Sequence, residues 1–261
     1  MRRPLTAFAL AAAGALCFSV GSATAATYVV KVTEADLTPG GHWFRADTRP
    51  PGTGVFEVGP GTPPRGRGSF ELSTPLGPVT NPGAAKVQLL TNLFDRLPLR
   101  YIDGIGYQTY RDPSSTGFPA GVNTLNIRVD LDGNGTADAY MVYEPYQDLG
   151  NAAVLTGVWQ PWDAYRAGAA RWWISGTASP TCTQATPCPW ATIITLHPMA
   201  TVREAPSCGP GSAPKSPCPG SLGVNQGSNN PGVISNADAL YVSGYGSKVI
   251  FDFEPGRGGH N

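Results

Sequence analysis

Asp130, Asp132 and Asp138 belong to the run Asp130-x-Asp132-Gly133-Asn134-Gly135-Thr136-x-Asp138. Carboxylate and amide oxygens at alternating positions, with glycine allowing a sharp turn, are what a hard cation such as Ca2+ takes as ligands. Asp130, Asp132, Asn134, Thr136 and Asp138 are therefore candidate calcium ligands. The run is not an EF-hand, because the twelfth position holds Met141 in place of Glu and the flanks read as strands. The competing reading is a polar hairpin tip built from residues that favour turns.

A second group is aromatic: Trp159, Trp162, Tyr165, Trp172 and Trp173 fall within fifteen residues. Neighbouring side chains on a strand point to opposite faces, so Trp172 and Trp173 cannot both enter one core. Trp159 and Trp162, three apart, oppose each other in the same way unless Pro161 sits at a bulge. An exposed indole offers a flat apolar platform to a sugar ring, and burial in the core is the competing reading for each tryptophan. Asn126 and Arg128 lie opposite Leu125, Ile127 and Val129, and Gln108, Tyr110, Glu144 and Tyr146 can join them on an outward face. Amides, a guanidinium and a carboxylate beside aromatics make a candidate saccharide-binding face. The alternative is an ordinary solvated sheet surface with an Arg128–Glu144 cross-strand pair.

Catalytic signatures are absent: the chain has no G-x-S-x-G, no H-E-x-x-H and no phosphate-cradling glycine loop. Only His42, His197 and His260 could serve a nucleophile, and nothing local supports either of the first two. A carboxylate pair for glycoside hydrolysis leaves no spacing in sequence. Glu144 and Asp103 are the pair to test first.

These residues must be held by strands. Leu125, Ile127 and Val129 alternate with polar residues, and Ala139 to Tyr146 follows after the Asp/Asn/Gly loop, so Asn123 to Tyr146 reads as an antiparallel hairpin. Further strands are expected at Tyr28–Val32, Trp43–Phe44, Val55–Val58, Ser69–Leu72, Ala85–Leu90 and Arg100–Tyr110. After the hairpin come Leu155–Trp162, Arg171–Ser175, Ser221–Asn225, Ala237–Ser243 and Lys248–Phe253. Breaker-rich turns such as Arg49-Pro50-Pro51-Gly52 separate them. About a dozen short strands predict an all-β fold, an antiparallel β-sandwich of jelly-roll type. One short helix is expected at Pro189–Leu196, with Pro198 stopping it.

The segments Ala46 to Leu72, DLDGNGTADAYMVYEPY, GVWQPWDAY, CPWATI and NADALYVSG together resemble exported bacterial proteins of unassigned function. That family looks like the jelly-roll sandwiches of carbohydrate-binding modules and lectin-like domains. The resemblance implies the fold, and by analogy a structural calcium near the chain ends at Asp238. A hydrogen-bonded strand-end aspartate is the alternative there.

Arg2 and Arg3 precede an apolar run from Leu5 to Val20, and Ala23-Thr24-Ala25 fits a signal-peptidase site. The expected organisation is a signal peptide over 1–25, one domain over 26–255 and a disordered tail over 256–261. The leader takes two of the 18 basic residues and none of the 18 acidic ones, leaving a net charge near −2. That balance argues against nucleic acid and anionic membranes as partners. Cys182, Cys188, Cys208 and Cys218 survive cleavage, and in an exported chain they predict disulfides. Of three possible pairings, Cys182–Cys188 with Cys208–Cys218 is the most economical. The functional expectation is a secreted, monomeric module that binds a polysaccharide or other glycan, with a calcium ion. A polysaccharide hydrolase or lyase on the same scaffold, or an extracellular structural domain, are the alternatives.

Overall fold

The computed structural model describes residues 26–38, 40–76, 85–176, 178–205 and 219–256. The expected signal peptide, the Cys208–Cys218 pair and the tail beyond Gly256 lie outside the described residues.

Two sheets are stacked. One contains β1 (Ala26–Val32), β3 (Thr53–Val58), β4 (Gly68–Thr74), β6 (Ile102–Arg111), β9 (Trp159–Asp163), β14 (Val233–Gly244) and β15 (Ser247–Phe253). Its order is β1-β15-β14-β4-β3, with β6 on the other flank of β14 and β9 beyond β6. The second contains β2 (Trp43–Arg45), β5 (Lys86–Thr91), β7 (Thr124–Asp130), β8 (Ala139–Tyr143), β10 (Arg171–Ile174), β11 (Cys188–Pro189), β12 (Thr201–Val202) and β13 (Leu222–Gly227). Its order is β11-β10-β8-β7-β13-β5-β2, with β12 beside the far end of β7. The architecture is thus the expected β-sandwich, and β1 running parallel to β15 departs from a purely antiparallel one.

Alternation on the strands makes the core. Leu125, Ile127 and Val129 of β7 are fully buried and pack toward the first sheet with Met141 and Tyr143 of β8. Contacts across the sheets include Tyr107 against Tyr143, with centroids 6.4 Å apart, and Trp43 edge-on to Phe251 at 4.9 Å. Each large apolar side chain so buried contributes roughly 1.5–3 kcal/mol. The 12-residue β14 holds the first sheet together. It pairs with β4 over Val233–Ala237 and with β15 over Leu240–Gly244, while β6 runs along its other side. A register shift between Asp238 and Tyr241 marks the handover, and Ala239 there has φ 51°.

Among the described residues two α-helices flank the sandwich. The expected one is α2 (Trp190–Leu196), which buries Trp190 and Ile193. The other, α1 (Pro145–Leu149), corrects the reading of Ala139 to Tyr146 as one strand. The strand stops at Tyr143, and Pro145 opens a helix because its fixed φ suits a first turn and its missing N–H is no loss there. The strand expected over Leu155–Trp162 is the shorter β9, and Pro161 sits in unbroken register opposite Gln108.

Candidate functional site

Strand β7 is central, so its outer face matters as much as its core face. Thr124, Asn126 and Arg128 point away from the core, yet each is 4% exposed or less. The expectation of a solvated outer face is corrected here: neighbouring side chains and the chain around Gly220 cover it. Arg128 stands opposite Tyr140 in register. Its Nε donates to the Tyr140 hydroxyl at 2.6 Å and its Nη1 to the Gly220 carbonyl at 2.8 Å. The expected Arg128–Glu144 pair does not form, because Glu144 lies four residues beyond Tyr140 at the other end of β8.

At that other end the cover stops and a groove of about 210 Å³ opens. Asn126, Tyr140, Glu144, Trp173, Asn225 and Lys86 are among its walls, with the Gly227–Asn230 turn at one side. Register explains the gathering. Asn225 faces Thr124, Leu125 faces Tyr143, and Glu144 follows Tyr143, so Asn225, Thr124 and Glu144 form one row across three strands. Trp173 of β10 faces Val142 of β8 and is the diagonal neighbour of Glu144.

Glu144 is 5% exposed. Its Oε2 accepts from Trp173 Nε1 at 2.9 Å, Gln184 Nε2 at 3.2 Å and the Tyr146 hydroxyl at 3.3 Å. Its Oε1 accepts no hydrogen bond among the described residues. Burial pushes the carboxyl above the ordinary carboxylate range, against the opposing donors Gln184, Trp173 and Tyr146. Lys86, the one cation lining the groove among the described residues, is held by Asp47 at 2.9 Å. Burial lowers the Lys86 pKa, with Asp47 opposing. Asn225 gives Nδ2 to Gly227 O at 2.9 Å, while its buried Oδ1 has no partner.

The tryptophans do not share this site. Trp172 is fully buried against Tyr143 and Trp190, and its Nε1 donates to Ala164 O at 2.8 Å. Trp162 also turns inward, donating to the Thr109 hydroxyl at 2.7 Å. Both are core residues, correcting their place among the candidate ligand contacts. Trp159 and Tyr110 pair in register on the outer face of the first sheet, with ring centroids 5.8 Å apart. Trp159 is half-buried there, its N–H given to Pro60 O at 2.8 Å. Tyr146 sits on α1, reaching the groove only through its bond to Glu144. Asp103, second residue of β6 in the first sheet, accepts from the Ser243 hydroxyl at 2.7 Å, whereas Glu144 follows β8 of the second sheet, so the two carboxylates to test first as a catalytic pair do not lie side by side on one sheet.

The acidic loop lies at the opposite end of β7, six residues or about 20 Å from Thr124. Carboxylate oxygens of Asp130, Asp132 and Asp138 come within 4.8 Å of one another. Asp130, 2% exposed, accepts the amides of Gly133 at 2.8 Å and Gly135 at 2.7 Å, and Asp138 accepts that of Leu131 at 2.7 Å. Asn134 Oδ1 accepts the Thr136 amide at 2.8 Å. Gly133 and Gly135 have φ 79° and 91°, the left-handed region that glycine enters without strain. Asp238 is wholly buried at the β14 register shift, where its oxygens accept the amides of Arg65 at 2.8 Å and Phe253 at 3.1 Å. Cys182 and Cys188 form the expected disulfide.

Nothing in the sequence marks Lys86, Asn225 and Gln184 as groove residues. Their strands or turns were visible, but β13 inserts between β5 and β7 through a pairing about a hundred residues long-range, for which the sequence carries no local signal. No protein-family model, curated protein or solved structure matches this chain.

Proposed function

We propose that this chain is an exported, monomeric carbohydrate-binding module of jelly-roll type. Its site is the groove at Trp173 and Glu144, which takes one residue of a cell-wall or environmental polysaccharide. The observation that carries this reading is Trp173: a half-buried indole whose N–H is tied back to Glu144, standing among amides and hydroxyls. An aromatic face beside fixed polar groups is the combination that recognises a sugar ring, apolar on its faces and hydroxylated at its rim. At about 210 Å³ the groove is smaller than sites for drug-sized ligands, roughly 300–1,000 Å³, and suits a single sugar unit.

Glu144 is the only carboxylate lining the groove among the described residues. Two-carboxylate glycoside hydrolysis needs a second within about 10 Å, so binding is better supported than hydrolysis. A structural Ca2+ at Asp130, Asp132 and Asp138, with Asn134 and Thr136 beside them, belongs to the same proposal. Its support is the convergence of three carboxylates in a glycine-containing loop.

A glycan array probed with the wild-type chain and with Trp173→Ala tests the reading. Binding to a defined set of glycans that Trp173→Ala loses is expected; an array without a binder, or wild-type binding by the variant, overturns it.

A further inference from the structure

Glu144 is a buried carboxyl with no counter-charge among the described residues. It is 5% exposed, and among the described residues Trp173, Gln184 and Tyr146 all donate to Oε2. Among the described residues it has no cation within ion-pair distance, and the cation of the groove, Lys86, is committed to Asp47 at 2.9 Å. Asp47 also takes Arg49 at 3.0 Å, so that cluster already balances itself away from Glu144. A carboxylate so buried must hold a proton or meet a cation.

Asn225 Oδ1, two strands away, is sealed from the groove, so the acceptor left open to a ligand is Glu144 Oε1. Trp173 stands diagonally beside Glu144, where a ring face attracts positive charge.

We propose that the groove selects a sugar residue bearing a primary ammonium group, an amino sugar with its amine free, which donates to Glu144 Oε1. The inference deepens the carbohydrate-binding reading and rests on it. A primary ammonium brings three donors and one positive charge, and a neutral or N-acetylated sugar at the same position brings no charge. Acetylation would also press an uncharged amide against the carboxylate.

Calorimetry of the wild-type chain with oligosaccharides of glucosamine, of N-acetylglucosamine and of glucose provides the test. The glucosamine oligomer is expected to bind about ten- to a hundredfold more tightly than its acetylated counterpart, the range of one charge-assisted hydrogen bond. Glu144→Gln, checked for a cooperative melting transition, is expected to bring the free-amine and acetylated oligomers to the same affinity. Equal affinity of the wild type for free-amine and acetylated oligomers overturns the proposal, whether or not the variant folds. A preference that survives Glu144→Gln overturns it as well. Neutral glycans bound without amine selectivity would leave the carbohydrate-binding reading standing, whereas no binding to any glycan would remove both.

Discussion

The indole N–H of Trp173 donates to Oε2 of Glu144 over 2.9 Å, joining β10 to the residue that follows the neighbouring β8. The bond fixes how the ring stands over the groove and occupies the carboxyl oxygen that also takes Gln184 and Tyr146. Trp173→Ala removes both ring and donor and is expected to cost about 2 kcal/mol or more in glycan binding, as truncating an aromatic anchor does. Trp173→Phe keeps most of the apolar face and loses only the donor, so a loss of about 1 kcal/mol is expected. Titration calorimetry checks the order; equal losses for the two variants would mean that the N–H, and not the ring face, matters.

Part of this arrangement was legible in the residues. The period-two pattern of Asn123 to Tyr146 identified the hairpin, and the adjacency of Trp172 and Trp173 required them to face opposite ways, as they do. Periodicity distinguishes two sides of a strand but not what lies on them. Asn126 and Arg128 alternate like surface residues, yet Tyr140 and Gly220 cover Arg128. Trp159 and Trp173 are fourteen positions apart and belong to different sheets, a separation set by pairing partners far along the chain.

Asp238 should make stability depend on pH. Burial pushes its carboxyl up to about 7, against backbone donors including Phe253 and Arg65. The folded chain then keeps a proton that the unfolded chain releases near the ordinary value of 3.8. Between those values the folded state binds more protons, so this stabilising share is full below about 3.8 and declines as pH rises toward 7, by at most about 4 kcal/mol. Glu144 and Asp252, both raised chiefly by burial, act with the same sign. Asp47 is held below its ordinary value by Lys86 and Arg49 despite burial, so its share is lost only at lower pH. Melting is expected at a higher temperature at pH 5 than at pH 8, with a flatter profile in Asp238→Asn. An identical profile in the variant would assign the slope to other groups.

The disulfide Cys182–Cys188 closes the turn that carries Gln184 to Glu144. Its short loop is worth about 2 kcal/mol by the loop-entropy relation. Replacing both cysteines by serine should lower stability by about that amount and also weaken glycan binding, because Gln184 loses its anchor. Reduced stability with unchanged affinity would show that the turn does not position the groove.

Asp130 and Asp132 should separate the two roles of the acidic loop. Asp130 accepts three amides, those of Gly133, Asn134 and Gly135. Asp130→Ala is therefore expected to cost about 1–3 kcal/mol even in chelator. Asp132 is exposed and, among the described residues, bonded only to Asn134. Asp132→Ala should change the chelated protein little but abolish the rise in melting temperature expected for the wild type on adding calcium. A melting temperature indifferent to calcium and chelator alike would reduce the loop to a turn.

The tryptophans divide by what they support, and stability should follow that division. Trp172 is fully buried, packed against Tyr143 and Trp190. Trp172→Ala removes the ring and leaves a cavity that the sheets cannot close, with an expected cost of about 3–5 kcal/mol. Trp159 is half-buried on the outer face of the other sheet, holding Tyr110 and the Pro60 carbonyl. Its truncation loses partial burial and one hydrogen bond, and about 1–2 kcal/mol is expected. Neither lines the groove, so both variants that remain folded should bind glycan as the wild type does. Chemical denaturation gives the stabilities and calorimetry the affinities. A binding loss in Trp159→Ala at full stability would move the sugar site to the opposite sheet.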